Sequence, residues 1–206
     1  MALLPAFKNS CTSISQTSMR HLIFAFCALV PLLSSCASSV ATPETLGYNV
    51  PALEGWQKDE PKADEPKTDE RDSDSIVYRK KVNNTKIRMM FIVNTPKSGA
   101  KPDDLTTLKQ SVNDGLELAR IVSPTIQVVE QKATSFRKFP AMLSTTRDKS
   151  VKDERERKIL RVADGKNTFL IDQTLTGNPI DEAARKEADA AWEEISSQLQ
   201  IKEPNA

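Results

Sequence analysis

The 206-residue chain is long enough for one domain with a substantial core, and its composition limits what that domain can do. Its 29 basic and 28 acidic residues nearly cancel, which excludes the strong positive charge typical of nucleic-acid-binding domains. The only histidine is His21, near the N-terminus, so histidine-based catalysis or metal binding further along the chain is excluded.

Residues 22–36, LIFAFCALVPLLSSC, are the most informative stretch of the sequence. The apolar run over residues 22–33 is about half of the ~20 residues needed to cross a bilayer, and Pro31 interrupts it. We therefore predict a secretory signal peptide rather than a transmembrane helix. Translation could start at Met1 or at Met19, and we favour Met19 because a compact basic start then precedes the apolar run.

A cysteine preceded by small residues closes this run. Leu33, Ser34 and Ser35 fit a lipobox, so Cys36 is predicted to become the first mature residue and to carry a diacylglycerol thioether. With an N-terminal acyl chain such as palmitate, this lipid buries enough methylene groups, at about 0.8 kcal/mol each, for stable anchoring. Residues 1–35 are thus predicted to be a lipoprotein signal peptide. The alternative is a plain secretory signal in which Cys36 is incidental.

The remaining sequence fits a location in the cell envelope. Cys11 and Cys27 fall in the leader and Cys36 would carry lipid, so no disulfide is expected in the mature domain. We expect that domain to face the periplasm. The residue after the lipidated cysteine is Ala37 and not Asp, which favours the outer membrane over the inner membrane. The small, polar residues 36–47 predict a flexible tether.

Residues 48–202 are predicted to form one domain, which begins with a bent strand marked by Val50, Leu53 and Trp56. A core anchor is the favoured role for Trp56, and a ligand platform is the alternative. An acidic solvated loop is predicted over residues 57–75, which contain the repeat DEPKADEPKTDE and no apolar cluster. These acids lack the turn glycine and fixed geometry of a calcium site.

A β-hairpin is predicted over residues 75–81 and 85–94, with Asn83 in the turn because asparagine tolerates positive φ. Met89 and Met90 are adjacent in its second strand and therefore point to opposite faces of the sheet. This arrangement favours core filling over a copper site.

Two amphipathic helices are predicted. The first opens at Pro102 and is interrupted by Gly115, which predicts a close approach to the sheet. The second follows Pro179 and runs to about Gln200. The apolar stripe of the first comprises Leu105, Leu108, Val112, Leu116 and Ala119. The stripe of the second comprises Ala184, Ala188, Ala191, Trp192, Ile195 and Leu199.

Four strand segments are predicted between these helices, over residues 124–133, 142–146, 158–163 and 167–175. Asp164 and Gly165 join the last two as a hairpin. Residues 147–158, RDKSVKDERERK, mix charges of both signs and predict a solvated turn rather than a binding patch.

The segments PTIQVVEQKA at 124–133 and RVADGKNTFLIDQTL at 161–175, followed by the closing helix, resemble the DcrB-like bacterial lipoproteins of the PsbP-like class. The resemblance covers roughly residues 46–202. It implies an α+β fold, an α/β/α sandwich with a mainly antiparallel sheet flanked by helices. It also implies a non-catalytic envelope module that acts by binding other proteins.

The residues themselves favour the same conclusion, since the acids are expected on loops and exposed helix faces and no catalytic residue, metal or cofactor is predicted. The first hypothesis is an interaction or accessory module with an unknown envelope protein partner and no nucleic acid. The second is a small-molecule or lipid carrier that uses a pocket between the sheet and the helix of residues 102–120. A third, an acid-based hydrolase, would require two carboxylates converging in a cleft.

Overall fold

The computed structural model describes residues 43–59, 73–96, 103–150 and 153–202. Within these residues the chain forms nine β-strands and two α-helices. The strands are β1 (Tyr48–Asn49), β2 (Gln57–Asp59), β3 (Ser73–Val82), β4 (Thr85–Asn94), β5 (Ile126–Phe136), β6 (Phe139–Lys149), β7 (Glu154–Ala163), β8 (Thr168–Gly177) and β9 (Gln200–Ile201). The helices are α1 (Leu105–Val122) and α2 (Glu182–Gln198).

Seven strands form one antiparallel sheet in the order β2-β3-β4-β8-β7-β6-β5. The short strands β1 and β9 pair with each other and join the two ends of the domain. One helix packs on each face of the large sheet. The predicted α+β fold, a mainly antiparallel sheet flanked by helices, is therefore confirmed.

Helix α2 packs on β3, β4 and β8 and covers the main core of the domain. Its apolar stripe is buried as predicted, and its small alanines allow the helix to lie close to the sheet. At the centre of this core the Phe169 ring lies 5.5 to 5.7 Å from the rings of Tyr48, Phe91 and Phe136. Aromatic rings at these separations add stabilisation beyond the area that they bury.

Helix α1 packs on β5, β6 and β7 on the opposite face. Asp104 caps its N-terminus, because one carboxylate oxygen accepts the backbone N–H of Thr107 at 2.8 Å. Leu108 and Val112 are the fully buried members of the stripe and form a separate cluster with Met142 of β6 and Ala163 of β7. Helix α1 covers only the β5–β7 end of this sheet face. On the same face, no described helix packs on β3 or β4.

Two predicted hairpin turns are confirmed. Asn83, with φ 52°, lies in the turn between β3 and β4. Asp164 and Gly165 lie between β7 and β8, where a carboxylate oxygen of Asp164 accepts the backbone N–H of Lys166 and Asn167. In both turns a residue with positive φ reverses the chain, as local sequence indicates.

The predicted bent strand over residues 48–56 is wrong. Only Tyr48 and Asn49 are paired, and the chain then turns at Gly55, with φ 73°, before β2 begins. Pro51 has no N–H to donate to a ladder, which explains the interruption. Trp56 is half-buried and packs against the apolar core beneath α2, so its interpretation as a core residue is confirmed.

The boundaries of the predicted acidic loop at 57–75 need correction. Residues 57–59 form β2, with Gln57 opposite Arg79, and β3 already begins at Ser73. Residues 57–59 are a strand because they pair with β3. Their polar sequence alone does not indicate a strand. Residues 60–72, with most of the repeat, lie outside the described residues, as do the leader and Cys36. Within the predicted tether, residues 43–47 form a turn in which Tyr48 donates its N–H to the Pro43 carbonyl at 2.8 Å.

The bounds of the predicted solvated turn at 147–158 are wrong, because β6 runs to Lys149 and β7 begins at Glu154. Arg147 lies at the end of β6 and Glu156 near the start of β7, and the two residues are direct cross-strand partners. Their side chains form an ion pair with an N–O distance of 2.8 Å. Opposite charges that alternate along two strands pair across the ladder, so a mixed-charge sequence is compatible with a hairpin.

The close approach predicted at Gly115 is wrong as well. A Cβ atom there would meet only a terminal guanidinium nitrogen of Arg161, at 3.9 Å. The tight position is Gly177, where a Cβ would lie 2.8 Å from the Thr85 hydroxyl oxygen and 3.0 Å from the Pro179 carbonyl oxygen. Gly177 is the last residue of β8 and precedes the turn into α2. Its close packing arises because the Thr85 hydroxyl, which accepts the backbone N–H of Asp181, lies against it.

Candidate anion-binding surface

Basic side chains cluster on the sheet face opposite α2, where neighbouring strands present them side by side. We call this surface the basic face and define it as Arg79, Lys81, Lys86, Arg88, Arg155 and Arg157. It lines an open groove of about 790 Å3, in which seven of twelve described lining residues are Lys or Arg and none is acidic. A net charge near zero for the whole chain therefore hides a strongly polarised surface.

The register of the strands places like charges directly opposite each other on this face. Arg79 is the cross-strand partner of Arg88, and Lys81 is the partner of Lys86. Like charges in this arrangement destabilise a sheet. A local rule broken in this way is typical of a surface kept for binding.

Asp172 supplies most of the negative charge beneath the basic face. Its carboxylate side chain is 1% exposed and accepts the Nε–H of Arg157 at 3.1 Å on each oxygen and an Nη2–H at 2.5 Å. A guanidinium nitrogen of Arg88 lies 3.9 Å away, and the Nε atom of Arg88 is buried without a described hydrogen-bond partner. Both carboxylate oxygens are thus bound by Arg157, and the negative charge of Asp172 only partly offsets the positive charge of Arg88.

The remaining cations on β3 and β4 have few acidic partners. Arg79 pairs with Asp59 at 2.6 Å in an exposed contact at the sheet edge. Lys81 and Lys86 form no ion pair with any residue in the described part of the chain. The basic face therefore carries excess positive charge toward solvent.

A narrower cavity of about 220 Å3 lies between α1 and the sheet, next to the basic face. We call it the α1 crevice. Its apolar wall includes Val112, Leu116 and Ala119 of α1, and its basic wall is formed by Arg155, Arg157 and Arg161 of β7. Arg155 and Arg157 line both cavities, so the two sites are adjacent.

Arg161 is the most distinctive side chain of the α1 crevice. Burial lowers the pKa of its guanidinium, the charge of Arg157 lowers it further, and Asp172 opposes both effects. No hydrogen bond or ion pair joins Arg161 to another residue among those described. Water hydrates the exposed part of this cation, and an anion that reached it would offset the cost of its partial burial.

Asp148 lies at the rim of the α1 crevice, and its carboxylate is already engaged. It accepts hydrogen bonds from the hydroxyls of Ser123 at 2.6 Å and Thr125 at 2.5 Å. These bonds, together with the charge of Arg155, hold the pKa of Asp148 below its usual value. Asp148 thus stabilises the end of α1 and leaves Arg161 without a partner.

The sequence interpretation missed the basic face, and it predicted a pocket between the first helix and the sheet without the arginines that line it. It placed the acids on loops and exposed helix faces, whereas Asp172 is buried at the centre of the sheet. It also assigned Arg155 and Arg157 to a turn, although they lie on β7. The available signal was Asp172 in the middle of the predicted strand FLIDQTL at 169–175, since a buried acid requires a cationic partner.

The predicted lipidation site lies outside the described residues. This holds for Cys36 and for the lipobox residues Leu33, Ser34 and Ser35. In the part of the chain that the structure describes, no group of three or more His, Cys, Asp or Glu residues could hold a metal ion. No helix in the same part is long and apolar enough to span a membrane.

No family model matches the sequence, and no curated protein matches it. Among solved structures, the chain is similar to cyanobacterial PsbP (CyanoP) from Synechocystis, with a TM-score of 0.51, 13% identity, and coverage of 79% of this chain and 91% of that chain. It also matches LpqN, involved in cell envelope biogenesis of Mycobacterium tuberculosis (TM-score 0.45, 15% identity, 76% and 83% covered). A third match is a protein of unknown function from Pseudomonas aeruginosa (TM-score 0.46, 13% identity, 77% and 99% covered). The likeness to PsbP confirms the PsbP-like fold, while the resemblance to DcrB-like lipoproteins stays a prediction.

Proposed function

We propose that the protein is a lipid-anchored, non-catalytic accessory module of the cell envelope that binds an acidic partner protein through its basic face. The predicted lipid on Cys36 would hold the domain at a membrane, facing the periplasm, with the outer membrane favoured. The observation that carries the proposal is the excess positive charge of the basic face.

The electrostatics of the basic face favour an anionic partner. Lys81 opposite Lys86 and Arg79 opposite Arg88 repel each other in the free protein. An acidic surface would relieve this repulsion and would be attracted over roughly 8 Å, the Debye length at physiological salt. Charged residues at such a surface chiefly raise association rates and select the partner.

The shape of the groove favours a protein rather than a single-stranded nucleic acid. The groove is broad and open, and none of its described lining residues is aromatic. Binding of single-stranded nucleic acid relies on aromatic side chains on which bases stack. An acidic protein surface needs no such platform.

Site-specific photo-cross-linking in cells tests this proposal. A photoreactive residue is placed at Thr176, on the basic face, or at Ala190, an exposed position of α2 that serves as control. We expect a discrete protein adduct from position 176 only. The double substitution Lys81→Glu and Lys86→Glu should reduce it at least tenfold, whereas Lys186→Glu on α2 should leave it unchanged. Equal adducts from both positions, or no effect of the double substitution, would contradict docking at the basic face.

The same cells test the anchor. The Cys36→Ala variant should leave the membrane fraction, and it should lose the adduct if anchoring brings the domain to its partner. Membrane retention equal to that of the unmodified chain would contradict the predicted lipidation.

The α1 crevice favours a second candidate function, carriage of a small molecule or lipid. The pocket hypothesis for the first helix required a cavity between that helix and the sheet, and a cavity of about 220 Å3 is present there.

A further inference from the structure

The two walls of the α1 crevice differ in chemistry. The α1 wall and the chain that follows it contribute aliphatic side chains, namely Val112, Leu116, Ala119, Val122 and Ile126. The sheet wall contributes three guanidinium groups of β7, those of Arg155, Arg157 and Arg161, beside Ile159 and the β6 residues Ser144, Thr146 and Asp148. The Asp148 carboxylate is already bound by the hydroxyls of Ser123 and Thr125. A ligand that satisfied both walls would be apolar along its length and anionic at one end.

Arg161 indicates where the anionic end would lie. Its neighbour Arg157 is already bound by Asp172 through several hydrogen bonds, whereas Arg161 forms none with a described residue. Guanidinium groups bind carboxylate and phosphate oxygens in a planar, two-point geometry. An oxyanion would therefore complete the hydrogen bonding of Arg161.

Gly115 keeps the wall of the crevice open above Arg161. A Cβ atom at this position would meet nothing closer than the Arg161 guanidinium, at 3.9 Å, so the helix leaves space there. The cavity volume of about 220 Å3 is several times the ~30 Å3 that a water molecule occupies in the liquid, so the crevice has room for a short alkyl chain.

We propose that the α1 crevice binds a single-chain lipid anion, with its carboxylate or phosphate against Arg161 and its hydrocarbon chain along α1. This inference rests on the second candidate function, carriage in the crevice, and is independent of protein docking at the basic face. Arg161 and Gly115 line only the crevice, whereas Lys81 and Lys86 line only the basic face.

The test uses the full chain carrying Cys36→Ala, titrated with four probes and followed by two-dimensional NMR of backbone amides and arginine side chains. Octanoate and octyl phosphate present the chain with a carboxylate or phosphate, 1-octanol presents the chain alone, and inorganic phosphate presents the anion alone. We expect both octyl anions to shift the Gly115 amide and the Arg161 Nε–H signals. The neutral alcohol and inorganic phosphate should bind at least tenfold more weakly. The tighter of the two octyl anions distinguishes a fatty-acid source from a phospholipid source.

Two substitutions assign the binding to the crevice. Arg161→Gln should weaken both octyl anions about tenfold and leave 1-octanol unchanged, because a charge-assisted pair is lost. Gly115→Leu should weaken all three octyl probes by filling the crevice. Lys86→Gln, the matched control on the basic face, should change each affinity less than twofold. A melting curve of each variant checks folding, and Gly115→Leu carries the test alone if Arg161→Gln unfolds.

Three results would overturn the inference. Binding of 1-octanol as tight as that of octanoate would indicate a purely apolar slot. Inorganic phosphate as tight as octyl phosphate would indicate a surface anion site without a chain pocket. Unchanged affinity in both crevice variants would place the ligand elsewhere. Loss of cross-linking in the Lys81→Glu and Lys86→Glu variant bears only on partner docking, so the two proposals fail separately.

Discussion

The two faces of the central sheet differ in packing and in charge. The face under α2 is closely packed around Phe169, and it contains the ion pair between Glu156 and Arg185. The opposite face is covered by α1 at one end only, contains the α1 crevice, and carries the basic face on β3, β4 and β7. The difference indicates that the α2 face supplies most of the stability and that the α1 face is available for binding.

The two faces of the sheet also differ in how many of their charged side chains form ion pairs. On the α2 side, Glu156 accepts hydrogen bonds from Arg185 at 3.0 and 3.1 Å and pairs with Arg147 at 2.8 Å. On the other side, Lys81 and Lys86 have no ion-pair partner among the described residues. A paired network needs no external anion, whereas the basic face attracts one.

The largest effect should come from the aromatic core under α2. Phe169→Ala is expected to reduce the free energy of unfolding by about 4 kcal/mol, because it removes a fully buried ring that contacts three others. Met142→Ala, beneath α1, should cost about 2 kcal/mol, since the adjoining crevice lets the site relax. Urea unfolding measures both values, with the exposed Leu118→Ala as a control expected within about 0.5 kcal/mol of the parent. Equal losses at Phe169 and Met142 would remove the difference in packing between the faces.

Two glycines give an intermediate effect of opposite sign. Gly177→Ala on the α2 face should destabilise the protein by about 1 to 3 kcal/mol, because its Cβ would overlap the Thr85 hydroxyl and the Pro179 carbonyl. Gly115→Ala on α1 should stabilise it by up to about 1 kcal/mol, because alanine is the better helix former and space is available. Thermal unfolding of the two variants compares the faces directly. Destabilisation by Gly115→Ala would mean that α1 packs more tightly than the structure indicates.

The smallest effect concerns pH. Burial alone would raise the pKa of Glu156, but the hydrogen bond and charge of Arg185 and the charge of Arg147 outweigh it, so the pKa is lowered. A carboxylate with a lowered pKa stabilises the fold above its unfolded value, about 4.5, and this contribution is lost as pH falls through the folded pKa.

Glu156→Gln should therefore cost about 1 kcal/mol at pH 7, and the difference from the parent should shrink below about pH 4. Urea unfolding at pH 7 and pH 3 measures it. Glu182→Gln, an exposed partner of the same Arg185, is the control and should have little effect at either pH. A Glu156 effect that persists at pH 3 would show that packing rather than charge explains it.

Much of the fold was predictable from the sequence. The hairpin at Asn83, the turn at Asp164 and Gly165, and the buried stripe of α2 follow from local rules and are confirmed. The charged outer part of the hairpin between β6 and β7 was missed because its stability comes from cross-strand charge pairs rather than from an apolar period. The surroundings of Gly115 and Gly177 were mistaken because space around a glycine depends on distant residues.

The candidate sites depended on tertiary structure more than the elements did. Lys86 and Arg155 are far apart in the sequence, yet both are cross-strand partners of Thr176 on β8. Their common face follows from the strand order β4-β8-β7 and from strand parity, neither of which a local pattern encodes. The same order buries Asp172 opposite Ile159 and within reach of Arg157.

The sequence by itself determined the local elements and the prediction of a lipid anchor at Cys36, because caps, turns, apolar periods and the lipobox are all written in short stretches of neighbouring residues. Only the tertiary structure decided which charges are compensated. The antiparallel sheet collects cations from separate strands on one face and packs α2 against the other, and that distribution of charge and space is the basis of both proposed binding sites.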